Sequence, residues 1–431
     1  MQAALSRIIT ALDFVVQDTP IGTNISIVRL MWAMVNGSFL ISRGAVHGAL
    51  KASDFEDEEI RRGWSALRYG SWTIEGLLSA WQIKVASENE WRVRRYEGYK
   101  VKSVDITGFW RPQLQGNVNK LYNAVAGKAL PAIIFGVMVT SGEIKGKRVP
   151  LLEKIVRCEA ETSESEFHAQ LLNGAAESAL PDEITVMDAG FELSAIMAAK
   201  LSQFVVRMAI NCTARRNLLP EYKGIGARPK YGELIRPLPR TRLDNQIDAT
   251  PCEESGTFSS QGRTIRYQAW HKLVTTATKV DSDNTTFSMY VFFDPHYLNP
   301  MVLATDMALK PETIYLVYRE RWPVEHPPLA AKQMIGLHQQ FVFADDSCYR
   351  LPELGLLAGN ILAHTAAALP PIPTGYWDRV PQNTPGRLRR LLAKAIVPTS
   401  EQLHPELRKK NSVSDHLPKG IHAHRRTKAA V

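Results

Sequence analysis

A change of hydrophobic period near Trp91 constrains this chain more than any other feature. Upstream, apolar residues recur at helical spacing over Ile25 to Val35, Arg43 to Ala52, Phe55 to Leu67 and Ile74 to Val85, with Ser53 and Asp54 read as caps of the third segment. Downstream, Trp91-Arg-Val-Arg-Arg-Tyr96 and Tyr99-Lys-Val-Lys-Ser-Val-Asp105-Ile-Thr107 alternate on either side of a turn at Gly98, which predicts paired strands. Periods of 3.6 and 2 bury different faces, so the two stretches belong to different architectures.

The alternation continues as Ala132 to Thr140 and Arg148 to Val156, then gives way to a helix over Ser163 to Leu180 that Pro181 ends. A short apolar strand from Glu183 leads to Asp188 and Gly190, followed by a helix (Phe191 to Leu201) and a strand (Gln203 to Met208). This order predicts an α/β fold: a mixed sheet with helices packed on it. From Asn211 to Pro300 prolines and glycines replace the helical signal, and strand-like runs at Thr264 to Trp270, Lys272 to Thr276 and Thr285 to Phe293 predict a β-rich insertion. Helical pattern returns after Pro311 and runs to about Leu369, where a Pro-rich linker precedes a basic tail. The expected divisions are a helical N-terminal domain (1–95), an α/β core in two parts (96–208 and 301–345), the insertion (209–300), and C-terminal helices with linker and tail (346–431).

Charge is unevenly placed. Lys and Arg total 52 against 43 Asp and Glu, and from Pro385 onward 11 basic residues face 3 acidic ones, so the tail carries +8 of the net +9. A near-neutral body with a basic tail predicts a polyanionic partner, nucleic acid before membrane, because no apolar face accompanies the charge. Arg43, His47, Lys51, Arg61, Arg62 and Arg68 on the N-terminal helices fit either a DNA-binding module or a plain bundle with a solvated rim. Four cysteines without a CxxC pair exclude a zinc ribbon or redox motif and suit a reduced compartment. The punctuated N-terminus does not read as a signal peptide, and Leu354 to Leu369 reads as a buried helix, so a soluble, cytoplasmic protein is expected. Neither a P-loop nor GxGxxG occurs, which makes a nucleotide or dinucleotide cofactor an unsuitable reading.

Candidate chemistry rests on acids. Asp105 and Asp188 stand at expected strand ends, where α/β sheets place ligands. Tyr318, Arg321, Glu325 and Lys332 are spaced by 3, 4 and 7. On one helix they would share an arc of roughly 60°. Three carboxylates can hold a pair of hard divalent cations, two Mg²⁺ or Mn²⁺, while Arg and Lys neutralise bridging phosphates. Pro323, Pro327 and Pro328 interrupt this segment. A kink there keeps Glu325 in place and rotates Lys332 away. Glu320 is the nearest competitor to Glu325 and falls on a different face.

The pattern Y-x2-R-x3-E-x6-K, with Asp105-x-Thr107-Gly108 and Asp188-Ala-Gly-Phe191, resembles the YREK-type DDE transposases of bacterial insertion-sequence family four over roughly residues 100 to 345. The resemblance implies an RNase H-like catalytic domain interrupted by the insertion. It also implies a metal-binding catalytic triad of Asp105, Asp188 and Glu325, with Tyr318, Arg321 and Lys332 gripping DNA near a transposon end. The implied reaction is cut-and-paste transposition on double-stranded DNA with a hairpin step, carried out by at least a homodimer. Trp270, in a strand of the insertion, is a candidate either for stacking on a flipped base or for core packing. A nuclease of the same fold that cuts without joining, and a chemically inactive DNA-binding descendant, are the rival readings.

Overall fold

The computed structural model describes residues 1–395, apart from 117–118, 223, 225 and 243–244, together with 403–407. Most of the basic tail therefore lies outside the described residues. Two compact units emerge, one formed by Met1–Glu90 with the chain from Pro327 onward, the other by Trp91–His326. The N-terminal and C-terminal helices thus share one unit instead of the two separate regions expected at 1–95 and 346–431.

In the helical unit the helix Asp345–Ala368 is apolar on all sides, with Leu354, Leu356, Leu357, Ile361 and Leu362 wholly buried, and a helix hydrophobic all round must be surrounded. The helices Gln2–Val15, Thr23–Val35, Asp57–Tyr69, Ile74–Glu88 and Pro385–Leu392 surround it. Its polar groups are met from these neighbours: Trp81 Nε1 donates to Asn360 Oδ1 at 2.8 Å, and Arg350 donates to the carbonyls of Leu67 and Gly70. The first helix, Gln2–Val15, was not anticipated, although Ile8, Leu12 and Val15 line its buried side. Ser53 and Asp54 do not cap the helix that follows. Glu56 does, in a capping box with Glu59, while Ser53 is buried and accepts from Asn36. Arg61 and Arg62 both pair with Glu58 and Lys51 with Asp57, which is the solvated rim of a bundle. No described helix is long and apolar enough to cross a membrane.

The second unit is built on one large mixed sheet. Its core strands are β1 (Tyr99–Trp110), β2 (Lys128–Thr140), β3 (Leu151–Arg157), β4 (Glu183–Met187) and β5 (Phe204–Met208). They lie in the spatial order β3-β2-β1-β4-β5, with β1, β4 and β5 mutually parallel and β2 and β3 antiparallel to their neighbours. Helix α1 (Glu164–Glu177), opened by a capping box between Ser163 and Glu166, crosses from β3 to β4, and α2 (Leu193–Ala198) crosses from β4 to β5. The insertion adds β6 (Glu254–Ser260), β7 (Arg263–Val274) and β8 (Phe287–Phe293), and β9 (Met301–Thr305) then pairs antiparallel with β5. The insertion is therefore β-rich as expected, and its strands extend the same sheet. The runs before and after His271 are one strand, β7, with a register shift between Trp270 and Leu273.

Alternation sorts the sheet's side chains into two cores. Val104, Met187, Phe204 and Val206 meet α1 and α2 on one face, whereas Val101, Ile184, Val186 and Val205 meet helix α3 (Pro311–Arg319) on the other. On the first face a Cβ at Gly136 of β2 would stand 2.2 Å from Leu171 of α1, which is itself fully packed. Gly136→Ala should therefore cost about 1–3 kcal/mol through overpacking, read as a lowered urea midpoint with an unchanged slope.

Candidate active site

The face of the sheet toward α3 carries the acids. Asp105 shares the parity of Val101 and Ser103 on β1, Asp188 continues that of Ile184 and Val186, and Arg207 that of Val205. Register then aligns them. Ser103 pairs with Val186 and Val186 with Val205, so two residues further on Asp105, Asp188 and Arg207 form a row across three parallel strands. Asp105 is not at a strand end as expected; β1 runs on to Trp110 because Ile106 to Phe109 remain paired with β2. Asp188 does follow the last residue of β4, and its Oδ1 accepts from the Gly190 amide at 2.9 Å.

The segment after α3 closes over this row. The segment is interrupted at its prolines, as their positions imply: α3 ends at Arg319, Trp322–Glu325 forms a 3₁₀ turn with Pro323 at its start, and His326–Leu329 and Ala330–Ile335 follow as one α turn and one π-helical turn. What fixes the segment is Glu320. Its side chain is wholly buried; Oε1 accepts from the Tyr96 hydroxyl at 2.5 Å and lies 3.2 Å from Arg94 Nε and 3.3 Å from Arg148 Nε. Its main-chain carbonyl accepts from the Ser103 and Ser141 hydroxyls on β1 and beside β2. Burial, with Glu320 adding to it, pushes the Tyr96 hydroxyl up to about 12. Glu320 is thus a buried anchor, which separates it from Glu325.

From that anchor the next turn points its charges at the acids. Arg321 Nη2 donates to Glu325 Oε1 at 2.8 Å, and Nη1 lies 3.7 Å from Asp105 Oδ2. Burial foremost, and then the charge of Asp188, raise Asp105 to about 7; Glu325 adds to the rise, while Arg321 and the Ile106 amide oppose it. Tyr318 is buried against the same cluster, and burial pushes its hydroxyl up while Arg321 and Arg207 pull it down. Burial also holds His326, beside Glu325 and Arg148, below its ordinary value.

Asp105, Asp188, Glu325, Tyr318 and Arg321 are therefore brought into one electrostatic neighbourhood, together with Arg207, which sequence reasoning missed. Its signal was its place on β5, two residues past the pairing of Val205 with Val186. Lys332 belongs to the helical unit, in the π-helical turn, and its carbonyl accepts from His338. The shared 60° arc does not form. Trp270 is a correction too: the ring is 1% exposed in the sheet core and donates to the Pro251 carbonyl at 2.9 Å, so it has no free face for a base. Trp322 is 59% exposed, with the Arg321 guanidinium 6.0 Å from its ring centroid, and escaped notice because a lone Trp next to a proline has no periodic signal.

Three carboxylates are hard oxygen donors, and the like-charge repulsion that adds to the effect of burial on Asp105 is of the kind a divalent cation relieves, so the donor set suits Mg²⁺ or Mn²⁺. Among the described residues, however, no group of three acids, His or Cys is arranged to hold a metal ion as the side chains lie; Arg321 occupies the compensating position between Asp105 and Glu325. No protein-family model matches the chain, and no curated protein matches it.

Removing the anchor has a defined expectation. Glu320→Gln removes the buried counter-charge of Arg148 and one of the two carboxylates on Arg94, which keeps Glu143, and should destabilise the protein by about 1–3 kcal/mol in urea titration, whereas Glu325→Gln, at a partly exposed position, should cost less than about 1 kcal/mol.

Proposed function

We propose that this chain is a DDE-type DNA transposase that cuts at the ends of an insertion sequence and joins the 3′ ends to target DNA. The observation that carries the reading is the row of Asp105 and Asp188 on adjacent parallel strands with Glu325 brought to it through Arg321. The strand order β3-β2-β1-β4-β5, with its antiparallel pairs on one side and parallel pairs on the other, supports an RNase H-like core.

Asp105, Asp188 and Glu325 would hold the divalent cations. Bound there, two cations supply charge neutralisation at the phosphoryl oxygens and a lowered pKa for the attacking water or 3′-hydroxyl. The chain's own groups do the rest. Arg321 balances Asp105 and Glu325 and, with Tyr318 and Arg207 in the same electrostatic neighbourhood, would offer its guanidinium to a phosphate of bound DNA. Trp322, exposed and next to Arg321, offers a face for a base that the buried Trp270 does not. Pairing two ends requires two protomers, and the tail supplies salt-sensitive affinity for double-stranded DNA.

The test is cleavage of linear DNA carrying the element's flanking ends, with Mg²⁺ or EDTA, by wild type, Asp188→Ala and Trp322→Ala. Metal-dependent cutting at the end boundary is expected from wild type, no cutting but retained binding from Asp188→Ala, and roughly tenfold weaker end binding from Trp322→Ala. Cutting without joining would favour a nuclease. Binding without cutting by wild type would favour an inactive DNA-binding protein.

A further inference from the structure

A second aromatic feature lies in the helical unit, in the segment between the helices Asp345–Ala368 and Pro385–Leu392. Tyr376 and Trp377 are 93% and 84% exposed, their rings edge to face with centroids 5.2 Å apart. Two large rings in water at the tip of a loose loop would carry little meaning, but this loop is built. Ile372 and Gln382 close its base as a β-bridge. Asp378 braces the tip from within, accepting from the Thr374 amide at 3.0 Å, from the Thr374 hydroxyl at 3.1 Å and from the Val380 amide at 3.3 Å. Arg387 of the following helix ties both parts together, donating to Asp378 Oδ2 at 2.7 Å and to the Ile372 carbonyl at 2.8 Å. The hydrogen bonds hold Asp378 well below the ordinary carboxylate range, the Thr374 amide first, so it stays an ionised brace. The loop thus spends its one acid internally and presents its rings outward.

Its surroundings select the partner. Residues 369–395 hold five basic side chains (Arg379, Arg387, Arg389, Arg390, Lys394) against Asp378 alone, and Arg379, Arg390 and Lys394 are exposed. A second copy of the chain is a poor fit. Two rings offer on the order of 400 Å², half of the roughly 800 Å² that each partner contributes to a stable interface, and like charges would face each other. Exposed rings in a segment whose free charges are cationic, with Arg379 two residues past Trp377, match unpaired nucleotides, whose bases stack and whose phosphates pair with Arg and Lys.

We infer that the Tyr376–Trp377 loop is a stacking platform for unpaired bases of DNA, distinct from the acid-lined face of the sheet. It rests on the reading of this chain as a DNA-acting protein. The two are separable by experiment. Full-length wild type and the double variant Tyr376→Ser/Trp377→Ser, matched for thermal unfolding, are titrated by fluorescence anisotropy. Three probes are used: a duplex, the same duplex with a single-stranded tail, and the tailed duplex made abasic throughout its tail. Wild type should bind the tailed duplex roughly tenfold or more tightly than the abasic-tailed one. The double variant should lose that preference while keeping its duplex affinity within about twofold and its salt slope unchanged, since no phosphate contact is removed. Equal affinity of variant and wild type for the tailed duplex, or equal loss on all three probes, overturns the platform while leaving DNA binding standing. Wild type that binds none of the probes overturns both readings. A dimer seen by sedimentation for wild type and lost in the variant, with tail preference intact, would reassign the rings to self-association.

Discussion

Glu320 is wholly buried, and a buried carboxylate is tolerated only with its charge met, so Arg94 and Arg148 must converge on the end of α3. That demand fixes more than one ion pair. The Glu320 carbonyl is held by Ser103 and Ser141, which seats the end of the helix over β1 two residues from Asp105. Arg321, the next residue, and Glu325, five residues past the anchor, are thereby held beside the acid row. The arrangement places the anchor Glu320 and the proposed site carboxylate Glu325 five residues apart in one segment and gives them opposite environments: one sealed among cations, the other half open beside Arg321.

The acid row itself is a consequence of parallel pairing. Because β1, β4 and β5 advance in step, a residue just past the pairing of β4 with β1 is flanked by the residue two beyond the partner on each side. Two carboxylates and an arginine are thereby set side by side on a face whose earlier positions, Ser103 apart, are apolar. Burial and like charge raise Asp105 to about 7, a neutral-pH proton affinity that an isolated surface aspartate would not have.

Much of this was legible in local pattern. The switch of period at Trp91, the hairpin at Gly98, the capped helix from Ser163, the acid after β4 and the β-rich insertion all follow from spacing within a few residues. What was not legible depends on distant partners. The chain after Pro327 returns to pack with Met1–Glu90, and no local signal announces that. Asp105 looked terminal because its strand outlasts its alternating run, through pairing with β2. Trp270 and Trp322 could not be ranked by type; burial among the sheet residues decides one and exposure beside Pro323 the other. The break before Lys332, by contrast, was legible in Pro323, Pro327 and Pro328, which replace a continuous helix with short turns.

The most direct measurement is Mn²⁺ binding followed by electron paramagnetic resonance on wild type, Asp188→Ala and Arg321→Gln in the absence of DNA. If the three acids form one cation site for which Arg321 stands in, wild type binds Mn²⁺, Asp188→Ala loses at least about tenfold in affinity, and Arg321→Gln binds more tightly because the competing cation is gone. Mn²⁺ affinity unaffected by Asp188→Ala, or weakened by Arg321→Gln, would contradict a shared carboxylate site.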